Sequence, residues 1–376
     1  MSLKKRLEDL LLIFKNNQFL TLYNIKKAFS VLYYSILGTP KASKYGPIRL
    51  QIEITDRCNF NCIMCDRHNL KKIRNLNNVI SFKIFKNLIE NIHPLYVTLN
   101  GLGEPLMNTE IYKFLALCNR KHITTSMPTN MSLMNALNIA KLVENPPSIL
   151  TFSLHGTNPE SFEQITKSST FHKCIDNFEK LLSEIDRKKI MIRILCCLQA
   201  KNLDEYEPMY NYLKKWGLLE SFRLEPVFDF GVDSGIVPSP EQIENTIAKI
   251  NSIITSNMEK QKKDFLFNWK EKLLELLHRK TLKNETPCLT PWISTYITAT
   301  GKVLPCCYLT NEKYIMGNIY KNSFSEIWNG TKYKNFRNLL IDSRKNIPEC
   351  YGCFWNDYNR VKKYRIITLG QTRWFK

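Results

Sequence analysis

From residue 48 the chain switches repeatedly between two hydrophobic periods. Short apolar or β-branched runs fall at 48–55, 95–100, 123–129, 149–154, 189–198 and 222–228. Between them, at 82–92, 110–120, 133–143 and 161–185, apolar residues recur at helical spacing. Strand and helix alternate six times, which predicts parallel strands joined by crossover helices. Six such units are too few for a complete eightfold barrel. The expected class is α/β, a partial (β/α)6 TIM-like barrel. Sites in such folds gather at the C-terminal ends of the strands. There the chain places Cys58, the 101–105 loop, Thr129-Asn130 and His155-Gly156.

The flanks read differently. Residues 1–46 form an N-terminal helical extension, with Leu7, Leu10, Leu11 and Phe14 on one stripe and Leu22, Ile25, Phe29, Leu32 and Tyr33 on a second. The second stripe, with Lys26 and Lys27 beside it, is expected to pack on the protein's own body; a peripheral membrane contact is the alternative. The barrel is expected over 47–235, a helical linker marked by Pro238 and Pro240 over 236–286, a small module over 287–356 and a basic tail over 357–376. In the module, runs 293–298 and 303–306 flank a Thr-Gly turn and predict a β-hairpin. A helix bearing Phe324, Ile327 and Trp328 follows, and Trp292 and Trp328 are its expected core.

Composition narrows the class. Of 376 residues 44% are hydrophobic and 23% charged, which is ordinary for a globular protein. No apolar run approaches ~20 residues, so no spanning helix is expected. Acidic residues interrupt any signal-like stretch at the start, and the expected location is cytoplasmic. Twelve cysteines in that setting argue against a disulfide framework. Cys118, Cys174, Cys196, Cys197 and Cys307 read as small buried hydrophobes. The net charge of +20 is spread along the chain without a basic block. It suits an acidic protein partner, a phosphorylated substrate or an anionic membrane surface. Nucleic acid is not favoured, since no zinc-finger, RRM or KH signature accompanies it.

The other seven cysteines carry the chemistry. Cys58, Cys62 and Cys65 are spaced C-x3-C-x2-C. Three thiolates grip a soft metal or cluster and leave its fourth position open, as catalytic sites do. Zinc is the structural alternative, with His68 completing a Cys3His set. Cys288, Cys306, Cys350 and Cys353 would instead make a closed site, either tetrahedral zinc or a fully ligated cluster.

Several segments resemble the radical SAM superfamily. Cys58-Asn-Phe-Asn-Cys62-Ile-Met-Cys65 resembles its cluster-binding loop, and Asn100-Gly-Leu-Gly-Glu-Pro105 its Gly-Gly-Glu-Pro motif. Thr129-Asn130 is similar to a Thr-Asn-Gly element, and Ser153-Leu-His-Gly156 to the fourth-strand element near the ribose. The likeness covers about residues 47–230. It implies a 4Fe–4S cluster on Cys58, Cys62 and Cys65 whose open iron takes S-adenosylmethionine (SAM). It also implies SAM contacts from Met64, Gly101, Gly103, Glu104, Pro105, Asn130, Ser153 and Arg193, the last toward the carboxylate. Glu104 is expected to fix the fold near SAM rather than act as a base. Three departures stand out: Met64 replaces a common aromatic, Leu102 splits the glycine pair, and Met131 stands where the third element has glycine.

The C-terminal part resembles the SPASM or twitch module of that superfamily. Pro-Trp, a Gly turn, Pro-Cys-Cys, Gly317-Asn-Ile, Ser325-Glu-Ile-Trp-Asn and a terminal C-x2-C carry the likeness. With four cysteines it resembles the shorter, single-cluster version, which implies one auxiliary 4Fe–4S cluster on Cys288, Cys306, Cys350 and Cys353, with Cys307 as the alternative to Cys306. The implied activity is reductive SAM cleavage and hydrogen abstraction, with oxidation of an alcohol or sugar-like small molecule through the auxiliary cluster. Modification of a peptide is the alternative. A non-catalytic zinc protein binding nucleic acid is the reading from another class. Glu225 and Asp229, at the end of the sixth strand, are candidate proton acceptors, although salt-bridged rim carboxylates are commoner there. His155 is a candidate base or SAM neighbour, with a structural role as the alternative. A flavodoxin- or ferredoxin-type donor would supply the electron.

Overall fold

The computed structural model describes residues 46–67, 75–227, 235–278, 288, 290–351 and 353. The expected N-terminal helices, His68, Asp229 and the basic tail lie outside the described residues. Contacts divide the chain into two compact units, each discontinuous in sequence.

The first unit takes residues up to 56, 78–126 and those from 281 on. It holds strands β1 (Arg49–Ile52), β2 (Tyr96–Thr98), the first half of β3 (Thr124–Thr129), β7 (Ser294–Ile297), β8 (Lys302–Leu304) and β9 (Gly317–Asn318). They lie in the order β3-β2-β1-β7-β8-β9. β1 pairs in parallel with β2 and β2 with β3, as the crossovers predict. Helix α1 (Phe82–Ile92) starts where the Ser81 side chain accepts the Ile84 N–H and stops at His93, which is left-handed at φ 47°. Its buried stripe is Phe85, Leu88, Ile89 and Ile92. Phe85 stacks on Phe114 of α2 (Ile111–Arg120) with ring centres 4.4 Å apart.

The predicted hairpin is present as β7 and β8, paired antiparallel around Gly301, whose φ of +78° suits glycine. Its second strand stops at Leu304, short of the expected 306, because Pro305 has no N–H for the ladder. Cys306 therefore sits on the connection beyond the strand. The sequence did not show that β7 also pairs in parallel with β1, Arg49 beside Ser294 through Ile52 beside Ile297. This unit also holds α9 (Thr290–Ile293), which leads directly into β7, and α10 (Phe324–Asn329), α11 (Thr331–Asp342) and α12 (Pro348–Tyr351), which follow β9. Trp292 and Trp328 are buried, as expected of a module core.

The second unit takes residues 57–77 and 127–280. Its strands β4 (Ile149–Ser153), β5 (Met191–Leu198) and β6 (Phe222–Pro226) are parallel neighbours in the order β6-β5-β4. The helices are α3 (Ala136–Glu144), α4 (Pro159–Thr166), α5 (Phe171–Glu184), α6 (Tyr206–Trp216), α7 (Pro240–Ile253) and α8 (Lys260–Leu277). The single helix expected over 161–185 is two. Lys167 turns left-handed at φ 55° and ends α4, and α5 restarts at Phe171 after a Ser/Thr turn. The break lets Phe162 and Phe171 meet at 5.5 Å. With parallel strands and intervening helices, the fold is the expected α/β partial (β/α)6 barrel with a small C-terminal hairpin and helix module.

The stretch expected as a linker is packed. Trp269 of α8 is fully buried, stacks on Phe222 of β6 and donates its Nε1–H to the Leu203 carbonyl at 3.0 Å. Trp269→Ala is therefore expected to cost ~3–5 kcal/mol, as large aromatic truncations in cores do. Urea denaturation would measure it, and a loss near zero would mean that α8 is a dispensable spacer.

Candidate functional site

The cysteine loop belongs to the second unit. Cys58, Cys62 and Cys65 are free thiols, half-buried. The loop is clamped to the end of α4, where the Asn61 and Ile63 amides donate to the Thr166 and Ile165 carbonyls at 3.1 and 2.9 Å. Phe60 packs edge-on against Phe162. A three-membered ring adds a second clamp. Asn59 Nδ2 donates to Ser132 Oγ (2.7 Å), Ser132 Oγ to Asn130 Oδ1 (2.7 Å), and Asn130 Nδ2 to Asn59 Oδ1 (3.0 Å). Asn130 thus ties the end of β3 to the residue after the first cysteine. Met131 takes the left-handed conformation, φ +66°, that glycine would adopt without strain. It is held there by burial, by Thr129 Oγ1 accepting its N–H and by Asn177 donating to its carbonyl. The turn is kept although the glycine is not.

Burial, with repulsion from neighbouring thiolates, raises Cys62 and Cys65. Cys62 is pushed well above its ordinary value by burial, then by the Cys65 and Cys58 thiolates. Cys65 is pushed up to about 11, chiefly by burial. Positive iron would relieve both effects, so the donor set fits a thiolate-bound cluster. Among the described residues no three His, Cys, Asp or Glu side chains are gathered for a single metal ion.

Strand register puts the remaining candidates of this unit on one face. Thr151 neighbours Arg193, Ser153 neighbours Leu195, and Cys197 neighbours Glu225. Laterally paired residues of parallel strands point the same way. The other face, with Phe152, Ile192, Ile194 and Leu224, is buried apolar core. Arg193 is itself buried, its Nη2 3.2 Å from Met191 Sδ, while Ser153 and Glu225 are half-buried. His155 Nδ1 accepts the Cys197 N–H at 3.1 Å, and its carbonyl accepts from Asn202. Burial pulls the imidazole down to about 4, so at neutral pH it is uncharged with its proton on Nε2. That is a structural role.

The 101–105 loop belongs to the first unit and is organised by Glu53, which sequence reasoning missed. Glu53 is fully buried. Its Oε2 accepts the Leu102 N–H (2.8 Å) and the Tyr296 hydroxyl (2.7 Å), and its Oε1 accepts the Ala299 N–H (3.0 Å). A Cβ at Gly101 would lie 2.5 Å from the Glu53 side chain, so this position needs glycine. Gly103 is half-buried. Buried Glu104 caps the turn Pro105–Met107 by accepting the Leu106 N–H at 3.2 Å, a fold-fixing part. The only advance signal for Glu53 was an acid inside an apolar strand run.

Cys288, Cys306, Cys350 and Cys353 also lie in the first unit as free thiols. Cys306 is raised by the hydrogen bond to Cys307, then by burial and by the Cys288 thiolate. Cys350 is pushed up to about 12 by burial, then by Cys288, and less by Cys353. Cys288 therefore lies within electrostatic reach of Cys306 and Cys350, and Cys353 of Cys350, and the donor chemistry of the four fits a fully ligated cluster. Cys307, expected to be buried, is exposed: it sits on the turn past β8, near the Arg49 guanidinium. Cys118, Cys174 and Cys196 are buried, and Cys197 is half-buried.

Residues 52–213 match the radical SAM superfamily, and residues 288–354 match SPASM, an iron–sulfur cluster-binding domain. The chain belongs to the radical SAM superfamily. It is an enzyme whose radical SAM domain binds a 4Fe–4S cluster with SAM and whose SPASM domain binds auxiliary iron–sulfur. The cysteine-type anaerobic sulfatase-maturating enzyme of Clostridium novyi is 24% identical over 336 residues, 80% of this chain and 83% of that protein. The S-adenosyl-L-methionine-dependent 2-deoxy-scyllo-inosamine dehydrogenase of Niallia circulans is 33% identical over 72 residues, 19% of this chain. The match spans only 29% of that dehydrogenase. Among solved structures, anSMEcpe with bound AdoMet aligns at TM-score 0.57 and 19% identity, covering 78% of this chain and 81% of its own. Streptococcus suis SuiB bound to precursor peptide SuiA aligns at 0.55 and 17%, covering 84% and 70%. At these identities the two structures speak for the fold alone. No described helix is long and apolar enough to cross a membrane.

Two outcomes follow from this radical SAM geometry. Gly101→Ala should lower stability by ~1–3 kcal/mol through overpacking against Glu53, read from the shift in denaturation midpoint; an unshifted midpoint would refute the close approach. His155 has a folded pKa of about 4, below the unfolded value of ~6.5. The unfolded chain thus binds the extra proton between those values, and stability should fall as pH drops through that window. His155→Gln should flatten the slope between pH ~7 and ~5. The same slope in both proteins would place the titrating group elsewhere.

Proposed function

We propose that this enzyme dehydrogenates an alcohol or sugar-like small molecule, pairing a radical-generating open cluster with one closed auxiliary cluster. The observation that carries this is the contrast between two donor sets: three thiols on the loop at Cys58, Cys62 and Cys65, and four thiols, Cys306, Cys288, Cys350 and Cys353, linked pair by pair through their electrostatics. When bound, the first cluster supplies the electron that cleaves SAM to a 5′-deoxyadenosyl radical. The chain's own residues hold, orient and shield the reactants. Met64, Gly101, Gly103, Glu104, Pro105, Asn130 and Ser153 would line SAM, and Arg193 would pair with its carboxylate. Glu225 would accept the proton released by an oxidised alcohol; Asp229, its companion in that role, lies outside the described residues. Cys306 rather than Cys307 would be the fourth auxiliary ligand, because it is Cys306 that feels the Cys288 thiolate.

The local likeness to an inosamine dehydrogenase supports the small-molecule substrate. Modification of a peptide is the second reading, supported by the longer match to a sulfatase-maturating enzyme. The non-catalytic zinc reading falls with membership of the superfamily. A cytoplasmic location, with barrel and SPASM domains bounded near 47–235 and 287–356, completes the proposal. The +20 net charge suits an acidic flavodoxin- or ferredoxin-type electron donor.

Anaerobically reconstituted protein should be brown and hold about eight irons per chain, from two cubane clusters. Cys58→Ala should abolish SAM cleavage. Cys350→Ala should still form 5′-deoxyadenosine but no oxidised product from an amino-cyclitol or polyol panel. Colourless protein with two zincs, or normal turnover by Cys350→Ala, would overturn the reading.

A further inference from the structure

Two arginines are almost wholly buried beside the auxiliary cysteines, Arg337 at 1% exposure and Arg344 at 2%. A guanidinium keeps its proton even there, so each is a permanent positive charge in a poorly polarisable interior. Arg337 has a packing role. Its guanidinium faces the rings of both Trp328 and Tyr333, 4.3 Å from each centre, and donates to the Pro291 and Trp328 carbonyls. Arg344 is placed differently. Its Nη2 donates to the carbonyl of Cys350 itself at 2.6 Å, which holds the charge against that residue. Its field favours the Cys350 thiolate, against the larger effect of burial. The acid next to Cys350, Glu349, is engaged from outside by Lys313 at 3.0 Å and by the Tyr314 hydroxyl.

We propose that Arg344 is a positioning charge that raises the reduction potential of the auxiliary cluster and so makes it an electron acceptor. This rests on reading Cys288, Cys306, Cys350 and Cys353 as the ligands of that cluster. A cubane held by four thiolates is net negative and gains one further negative charge on taking up an electron. A fixed positive charge at Cys350 stabilises that reduced form more than the oxidised one. In the proposed dehydrogenation the substrate radical gives up one electron, which enters the cluster, and one proton, which leaves to the base. A more positive cluster potential favours that direction.

The test uses full-length protein carrying Cys58→Ala, Cys62→Ala and Cys65→Ala, so that only the auxiliary cluster forms. Its midpoint potential would be read by redox titration followed by electron paramagnetic resonance. Arg344→Gln keeps an amide donor for the Cys350 carbonyl but removes the charge. It should retain about four irons per chain and shift the midpoint to more negative potential; Arg344→Lys should restore most of the shift. An unmoved midpoint with iron retained overturns the proposal. Should Arg344→Gln lose its iron, Glu349→Gln decides: removing the neighbouring negative charge should move the midpoint positive, and no movement overturns the charge control. A parent protein that binds no iron would overturn the auxiliary-cluster reading itself, which the iron count separates from a failure of Arg344.

Discussion

The carboxylate of Glu53 holds together three segments that are far apart in sequence. It sits at the end of β1, takes the Leu102 amide of the glycine loop, and takes the Tyr296 hydroxyl and Ala299 amide of the hairpin. Being fully buried, it cannot turn to water for any of these bonds. Charge-assisted bonds in such a setting are strong, and leaving their donors bare is expensive. The same side chain fills the space that any residue larger than glycine would need at position 101. The shape of the glycine loop and the docking of the SPASM hairpin beside β1 are therefore one constraint.

The two cysteine sets of this radical SAM enzyme are prepared in contrasting ways. The loop at Cys58 is shaped by neutral amides: Asn59, Asn130 and Ser132 close a ring of hydrogen bonds, and the turn of α4 clamps the backbone. Charge reaches this loop as well, from Asp66 and Arg67, which act on the Cys65 thiol in opposite directions. At the other set, a buried cation is held against Cys350. Fixed charge of this kind would act on a bound cluster that changes its own charge, as proposed above. Their surroundings differ in the sense that their proposed tasks differ.

Much of this could be read from the chain. The switch between periods of two and near 3.6 located all six parallel strands, and cysteine spacing located both donor sets, because each of these is a local pattern along the chain. The left-handed turn at Met131 shows the limit of that reading. Met131 stands where the motif has glycine, yet the backbone keeps the glycine conformation because Thr129, Asn177 and burial outweigh the local strain. The break at Lys167 is legible only in phase: Phe162 and Phe171 are nine residues apart, about two and a half helical turns, which would put the two apolar stripes on opposite faces of one continuous helix.

By itself, then, the sequence determined the α/β class, the positions of the six parallel strands, the spacing of the two cysteine groups and the superfamily. Tertiary structure decided the rest: the parallel pairing of β7 with β1, the packing of α8 on β6, the burial of Glu53 and Arg344, and the exposure of Cys307 beside a more buried Cys306. Those features depend on which residues meet in space, at separations along the chain from 6 for Arg344 and Cys350 to 243 for Glu53 and Tyr296. Periodicity and spacing describe neighbours along the chain, whereas burial and charge depend on neighbours in space.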